Sequence, residues 1–157
     1  MKLISIVIPC FNEEENILEL YAQIKNVFKK NILHHYEIIF IDNASKDGTV
    51  NLLKQIAEKD RNVKIIINAR NFSHIRSPYY GLLQANGDAV ILIAADLQEP
   101  PQMINDFILA WEAGFKIVIG VKNESKESKI MFAIRKLYYR FISSIAEVDL
   151  VKNFISL

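Results

Sequence analysis

Cysteine, glycine and proline are scarce in this sequence: its 157 residues include one Cys, five Gly and four Pro. The lone Cys10 cannot form an internal disulfide, and no Cys/His cluster has the spacing of a structural zinc site, so a reducing compartment is expected. With 51% hydrophobic and 24% charged residues, the composition excludes a disordered, collagen-like or low-complexity chain. The sequence therefore predicts a globular protein whose length suits one domain.

Long hydrophobic runs and glycine-rich phosphate loops are also absent from the sequence. The longest uninterrupted apolar run, residues 89–95, is far shorter than the roughly 20 residues that cross a bilayer, and no signal-peptide pattern begins the chain. We therefore expect no membrane-spanning segment. Neither G-x-G-x-x-G nor G-x-x-x-x-G-K-S/T occurs, which argues against a dinucleotide site and a P-loop.

Charge is distributed unevenly, although the net charge is only +1. Residues 1–115 carry 11 Lys/Arg and 14 Asp/Glu, whereas residues 116–157 carry 8 Lys/Arg and 4 Asp/Glu. The basic C-terminal end either faces an anionic surface or forms an ordinary solvated helix face.

Apolar runs alternate with helical patterns along most of the chain. Strands are predicted at residues 3–8, 36–41, 63–67, 89–94 and 116–121. Helices are predicted at residues 47–58, 78–85, 101–111 and 130–145. A further helix is predicted after Asn12, which we expect to act as its cap. Strands of near-continuous Val and Ile that alternate with helices are typical of a parallel sheet covered on both faces. The predicted fold is an α/β protein, a three-layer α/β/α sandwich with a mainly parallel sheet.

Polar and charged residues directly follow four of these strands. The four segments are Pro9 to Glu13, Asp42 to Thr49, Asn68 to Phe72, and Asp96 to Pro101. Ligands of such sheets bind outside the carboxyl ends of the strands, so we expect these segments to line one cleft. Because the chain has no glycine cradle, a diphosphate bound there would need a cation, and Asp96 with Gln98 has the outline of a hard-metal site.

Four motifs occur in order and at ordinary spacing: Ser5 to Asn16, Asp42 to Thr49, Arg70 to Phe72, and Gly87-Asp88 followed by Ala95 to Pro101. Together they resemble the family 2 glycosyltransferases, most closely the branch that transfers sugars to dolichol or undecaprenyl phosphate. The resemblance implies a GT-A, Rossmann-like fold and an inverting transfer by direct displacement. It also implies a nucleotide-diphosphate sugar as donor, with a UDP-sugar favoured, a polyprenyl phosphate as acceptor, and no nucleic acid partner.

By this resemblance, residues at the first two strand ends bind the nucleoside. Pro9, Phe11 and Glu13 line the pocket for base and ribose, although loop packing of Phe11 and a helix-dipole role of Glu13 are alternatives. The second strand end, where the family commonly has two successive acids, carries Asp42 and Asn43. Asn43 can still accept and donate hydrogen bonds to a base, whereas Asp42 is alternatively a turn residue.

The fourth strand end resembles the family's Asp-x-Asp motif, but Ala94 stands at its first position. In the polyprenyl-phosphate branch the second aspartate and a glutamine hold the divalent ion. This implies Asp96 and Gln98 as ligands of Mg²⁺ or Mn²⁺, with Asp96 as the catalytic residue. A purely structural Asp96 is the alternative. Arg70 is expected to bind a phosphate or to pair with Asp42 or Asp96.

We expect residues 1–125 to form the nucleotide-sugar-binding domain. Residues 126–157 are expected to form a basic amphipathic helix at the start of an acceptor or membrane region that the chain lacks. Such a helix either lies on the bilayer at the cytoplasmic face of the membrane or packs against the core. The predicted function is metal-dependent sugar transfer to a polyprenyl phosphate. The alternatives are transfer to a glycan hydroxyl and a truncated nucleotide-sugar-binding fragment without turnover.

Overall fold

The computed structural model describes residues 1–30 and 33–120, where four strands alternate with four helices. The strands are β1 (Leu3–Cys10), β2 (His35–Asp42), β3 (Val63–Ile67) and β4 (Ala89–Leu92); the helices are α1 (Ile17–Lys30), α2 (Thr49–Lys59), α3 (Ser73–Leu83) and α4 (Met103–Glu112). All eight lie in a compact unit of residues 1–116, and a second unit begins at Ile117. None of these helices is long and apolar enough to span a membrane.

The four strands of the described sheet are all parallel, in the order β3-β2-β1-β4. Their register places Cys10 of β1 opposite Asp42 of β2, and Asp42 opposite Ile67 of β3. The carboxyl ends of these three strands therefore reach one edge of the sheet together. β4 ends opposite Val7, and the chain continues from there toward the same edge.

Helices cover both faces of the sheet. Alternation along β1 places Ile4, Ile6 and Ile8 on the face whose core also contains buried residues of α1, α2 and α4. The opposite face packs against α3, where a Cβ added to Gly81 would come within 2.9 Å of Val7. These three layers confirm the predicted α/β/α sandwich. Burial of both faces also explains why the strand sequences are almost entirely apolar.

Helix α3 begins at Ser73, upstream of the start that the sequence predicts at Pro78. Pro78 instead lies inside the helix, where its missing N–H removes one helical hydrogen bond. At this upstream start the N–H of Ser73 donates to Oδ1 of Asn71 at 2.7 Å. The preference of proline for a first helical turn was therefore a misleading signal here.

Two other local predictions were wrong. Asn12 does not cap α1, which begins at Ile17; its side-chain oxygen accepts a hydrogen bond from the N–H of Lys46 at 2.8 Å instead. Residues 116–120 form no strand, and Ile117 is 80% exposed there, so the burial that favours a parallel strand is missing. The predicted helix at 130–145 and the domain boundary at residue 125 lie outside the described residues.

A polar cluster centred on the buried Glu37 carboxylate holds the amino ends of the strands together. The Glu37 carboxylate accepts hydrogen bonds from Oγ of Ser5 (2.6 Å), Nζ of Lys64 (2.6 Å) and the N–H of Asn86 (2.7 Å). Oγ of Ser5 in turn accepts one from the N–H of Gly87, where an added Cβ would lie 2.6 Å from that oxygen. The cluster thus joins β1, β2, β3 and the turn before β4, at the end of the sheet opposite its carboxyl edge.

Candidate functional site

A cleft with a volume of about 380 Å³ opens at the carboxyl edge of the sheet. All four strand-end segments contribute to its lining, which consists of Pro9, Cys10, Phe11, Glu13, Asn43, Asn71, Ser73, His74, Ser77, Pro78, Ala94, Ala95 and Asp96. The structure therefore brings together these residues predicted from the sequence: Pro9, Phe11, Glu13, Asn43 and Asp96. Three predicted residues are not part of the lining: Asp42, Arg70 and Gln98.

Three of the four strand-end segments contain one non-glycine residue in the left-handed backbone region, and a fourth such residue directly follows the segment Asn68 to Phe72. These residues are Asn12 (φ 56°), Ala44 (φ 65°), Ser73 (φ 69°) and Leu97 (φ 57°). Within the described ranges no other non-glycine residue has a positive φ. The left-handed conformation costs L-residues roughly 1–2 kcal/mol, and such strain is often found at functional sites. The strained backbone residues therefore lie at the same edge of the sheet as the cleft.

The first strand end presents Phe11 and Glu13 on a turn that the second strand end supports. The N–H of Glu13 donates to Oγ1 of Thr49 at 2.8 Å, and the Glu13 carboxylate accepts a hydrogen bond from Nδ2 of Asn16 at 2.7 Å. The ring of Phe11 is 43% exposed at the cleft. An aromatic surface and a carboxylate thus line the same cavity.

Asp42 ends β2 and is fully buried. Its Oδ2 accepts a hydrogen bond from the N–H of Ser45 at 3.1 Å, which is the turn-forming contact that the alternative interpretation expects. Its Oδ1 is buried without a hydrogen-bond partner in the part of the chain that the structure describes. Burial raises the pKa of the neighbouring Cys10 thiol well above its usual value, and the carboxylates of Asp42 and Glu13 raise it further. The thiol therefore stays protonated and is not a nucleophile.

Asn43 lines the cleft, but protein groups occupy its whole side-chain amide. Nδ2 donates to Oδ1 of Asn71 (3.1 Å) and to the carbonyl oxygen of Ser73 (3.3 Å). Oδ1 accepts hydrogen bonds from the N–H of Phe72 (2.8 Å) and from Nδ2 of Asn68 (3.3 Å). An amide has two donor hydrogens and an oxygen with two lone pairs, so every position is filled. Hydrogen bonding to a base would require Asn43 to give up one of these contacts.

The segment between β3 and the first turns of α3 contributes cleft residues that the sequence analysis missed. They are Ser73, His74, Ser77 and Pro78, whereas Asn71 belongs to the strand-end segment that the sequence predicts at the cleft. His74 belongs to no recognisable motif. Its position shortly after the third strand, at the edge where the other strand ends meet, could have predicted its place in the cleft.

Arg70 is exposed, and its guanidinium lies over the ring of Phe72, 4.6 Å from the ring centroid. Among residues 1–30 and 33–120, no ion pair joins Arg70 to Asp42 or Asp96. The sequence-based expectation of such an ion pair was therefore wrong for this structure, and a phosphate remains the predicted partner.

Asp96 stands at the cleft on a tight turn that follows β4. Its Oδ1 accepts a hydrogen bond from the N–H of Gln98 at 3.0 Å, across the left-handed Leu97. Both side chains are exposed and carry the hard oxygen donors that Mg²⁺ and Mn²⁺ prefer. In the described ranges no group of three or more His, Cys, Asp or Glu residues could hold a metal ion. Two oxygen-bearing side chains could not enclose a cation by themselves, so a metal ion at this turn would need further oxygen ligands from phosphates or water.

Comparison with known sequences decides the family. Residues 5–145 match the sequence profile of Glycosyl transferase family 2. The chain belongs to this family. The resemblance inferred from the strand-end motifs is thereby confirmed, and the cleft lies within the matched region.

Relatives in family 2 are similar over most of this chain. It is 38% identical over 148 residues to CsbB of Bacillus subtilis (strain 168), a match covering 94% of this chain and 45% of that protein. It is 32% identical over 151 residues to the bactoprenol glucosyl transferase of Shigella phage SfV (96% and 49%). It is 34% identical over 130 residues to the undecaprenyl-phosphate 4-deoxy-4-formamido-L-arabinose transferase of Pseudomonas fluorescens (82% and 38%). The matches span less than half the length of these relatives.

Solved structures share the fold of this family 2 chain. S. aureus TarS 1–349 in complex with UDP matches with a TM-score of 0.60 and 24% identity, covering 84% of this chain and 39% of that one. The mannosyltransferase PcManGT of Pyrobaculum calidifontis in complex with GDP-Man and Mn²⁺ matches with a TM-score of 0.56 and 19% identity, covering 85% and 39%. These likenesses confirm the GT-A, Rossmann-like fold that the sequence predicts.

Proposed function

We propose that this chain is the donor-binding part of an inverting glycosyltransferase that moves a sugar from a nucleotide-diphosphate sugar to a polyprenyl phosphate. The observation that carries the proposal is the convergence of four strand ends on one cleft, which combines an aromatic ring with the carboxylates of Glu13 and Asp96. Family 2 membership supports the reaction class. Relatives named for bactoprenol and undecaprenyl phosphate support the acceptor class.

The first strand end is suited to a nucleoside. Phe11 and Pro9 offer an apolar surface on which a base can stack, and Glu13 offers a carboxylate for ribose hydroxyls. Asp42 also has one buried oxygen without a partner in the described ranges, but it is fully buried and does not line the cleft, so a base could reach it only if the residues covering it moved. A UDP-sugar is the favoured donor, and the similar fold of TarS was crystallised with UDP.

The turn after β4 is suited to the diphosphate. We assign Asp96, together with Gln98, as the protein ligands of Mg²⁺ or Mn²⁺, because both offer exposed oxygen donors beside the cleft. A divalent cation bound there supplies positive charge to the oxygens of the leaving diphosphate. The fold is shared with a mannosyltransferase crystallised with Mn²⁺. Arg70 offers an exposed guanidinium for a phosphate group.

The acceptor determines how much chemistry the protein must supply. A polyprenyl phosphate is already anionic at neutral pH, so its attack needs alignment with the sugar more than proton removal by a base. In direct displacement, a phosphate oxygen bonds to the anomeric carbon while the bond to the nucleoside diphosphate breaks, and the configuration inverts. The contribution expected of the described cleft is to hold the donor in line for that attack.

A donor-binding segment without turnover is the second candidate, because the matches span less than half the length of the relatives. Transfer to a glycan hydroxyl, which would need a general base, is an outcome that the assays below can reveal. We also propose that residues 126–157 contact the membrane at its cytoplasmic face. The excess of basic residues in 116–157, 8 Lys/Arg against 4 Asp/Glu, suits an anionic lipid surface.

Calorimetric titration with UDP and UDP-sugars, with Mg²⁺, with Mn²⁺ and with EDTA, tests donor binding directly. Micromolar binding that requires the cation is expected; absence of binding under every condition would overturn the proposal. Transfer assays with undecaprenyl phosphate and with an oligosaccharide then separate the acceptors. Product with the lipid phosphate alone supports the first candidate. Binding without any product, even by a version extended to the length of the relatives, favours the second.

A further inference from the structure

We propose that Asn43 is a positioning residue: its side-chain amide holds the turn between β3 and α3 so that Ser73 and His74 form one wall of the cleft. The inference rests on the donor-binding function proposed above and identifies what sets the shape of one side of that site. Asn43 is only 7% exposed, so most of its side chain lies behind the wall that it supports.

The chemistry of its neighbours determines the orientation of the Asn43 amide. The N–H of Phe72 can only donate, so it requires the amide oxygen, and the carbonyl of Ser73 can only accept, so it requires the NH₂ group. An aspartate of the same shape would keep the first contact and lose the second. Its carboxylate would also face Oδ1 of Asn71, which now accepts a hydrogen bond from Asn43. This position therefore needs an amide and not an acid.

The contacts of Asn43 end on a strained residue. Ser73 has a φ of 69°, a conformation that a residue with a Cβ adopts only with support from its surroundings. Two hydrogen bonds supply that support: the N–H of Ser73 donates to Oδ1 of Asn71, and its carbonyl accepts from Nδ2 of Asn43. Since Asn71 is itself held by Asn43, both supports depend on the same amide.

The same network extends into the next turn of α3. Nδ2 of Asn68 contacts Oδ1 of Asn43 at 3.3 Å and donates to Oγ of Ser77 at 2.9 Å. Ser77 and His74 both line the cleft. If Ser73 relaxes to a negative φ, the first turn of α3 changes direction and this wall of the cleft moves with it.

The test begins with Asn43→Asp, which keeps the shape of the side chain but replaces its NH₂ donor group by a negatively charged acceptor oxygen. We expect UDP affinity to fall about tenfold, because two hydrogen bonds are lost and a carboxylate faces oxygen atoms. Asn51→Asp, the same change on the exposed surface of α2, is the matched control and should bind like the wild type. Equal affinity of the Asn43→Asp variant and the wild type would overturn the proposal.

A double-mutant cycle separates positioning from direct contact with the nucleotide. Ser73→Gly allows a left-handed turn without strain, so Asn43→Asp should lose several-fold less affinity in that background than in the wild type. Equal losses in both backgrounds would mean that Asn43 does not act through Ser73, and would overturn the proposal.

NMR of the protein without ligand tests the role of Asn43 in the turn independently of nucleotide binding. The NMR Cα and Cβ chemical shifts of Ser73, which report its backbone angles, should move in Asn43→Asp and stay unchanged in Asn51→Asp. If the wild type bound no nucleotide, the donor function would fail while these shifts still tested the turn. Unchanged Ser73 shifts in Asn43→Asp would refute the positioning role even if nucleotide binding were intact.

Discussion

Nζ of Lys64 lies 2.6 Å from Oε2 of Glu37, near the amino ends of β3 and β2. Burial alone would raise the pKa of Glu37, but hydrogen bonds from Lys64, Ser5 and the N–H of Asn86 outweigh it and lower the pKa to about 2. A charged carboxylate is therefore part of the folded structure at neutral pH. This cluster is the basis of the first prediction.

Acidification should destabilise the chain through Glu37. Its pKa is about 2 in the folded chain against 4.5 ordinarily, so the stabilisation is complete above pH 4.5 and is lost as the pH falls toward 2. The contribution is at most about 3 kcal/mol, and exposure of half of Lys64 reduces it. Urea unfolding of the wild type and of Glu37→Gln at several pH values measures it.

Other acids titrate in the same range, so the informative quantity is the difference between those two proteins. That difference should be largest near pH 6 and should shrink toward pH 2.5. A difference that stays constant across this range would show that the charge of Glu37 does not stabilise the fold.

Replacing Ala44 by glycine should stabilise the protein. Ala44 has a φ of 65°, which glycine adopts without steric cost, so we expect a gain of about 1 kcal/mol in the free energy of unfolding. Chemical denaturation measures the change. Ala22→Gly, on the exposed face of α1, should instead lose about 1 kcal/mol. A loss of stability in Ala44→Gly would contradict the strain assigned to this turn.

Removing the ring of Phe11 should weaken nucleotide binding. Phe11→Leu keeps an apolar side chain but loses the stacking surface, and base stacking on aromatic rings is worth about 1–3 kcal/mol, so UDP affinity should fall by about tenfold or more. Isothermal titration with Mg²⁺ present measures it. Phe115→Leu, which changes a ring that is 62% exposed outside the cleft lining, is the control. Equal effects of the two substitutions would exclude a stacking role for Phe11.

Neutralising Asp96 should remove the dependence of nucleotide binding on divalent cations. Asp96→Asn loses the only side-chain charge of the turn formed by residues 96–98, so titrations with Mg²⁺ and with EDTA should give the same weak affinity for UDP. Asp106→Asn, at an exposed position of α4, should keep the cation-dependent difference. If Asp96→Asn kept it as well, the cation would bind elsewhere.

The strands and the edge where the cleft forms could be predicted from the sequence because their signals are local. Near-continuous runs of Val and Ile require burial on both faces, and ligand sites of parallel sheets lie at the carboxyl ends of the strands. For the same reason the positions of Phe11, Glu13 and Asp96 at this edge could be predicted from the sequence. Each directly follows or nearly follows an apolar run.

The errors arose where the deciding contacts come from distant parts of the chain. The start of α3 depends on Asn43, which is 30 residues away from Ser73 in sequence. Asn12 was assigned as a cap because nothing local shows that its oxygen binds Lys46. The full engagement of the Asn43 amide likewise appears only after β2 and β3 are paired, so its role could not be inferred from its neighbours in sequence.

The polar cluster around Glu37 and the cleft occupy opposite ends of the same strands. Substitutions near the first residues of each strand should therefore lower mainly thermal stability. Substitutions just past its last residue should lower mainly nucleotide affinity. A deep mutational scan scored separately for abundance and for ligand capture would display this polarity. It would also mean that the amino ends of the strands can be redesigned for stability without changing a side chain that lines the cleft.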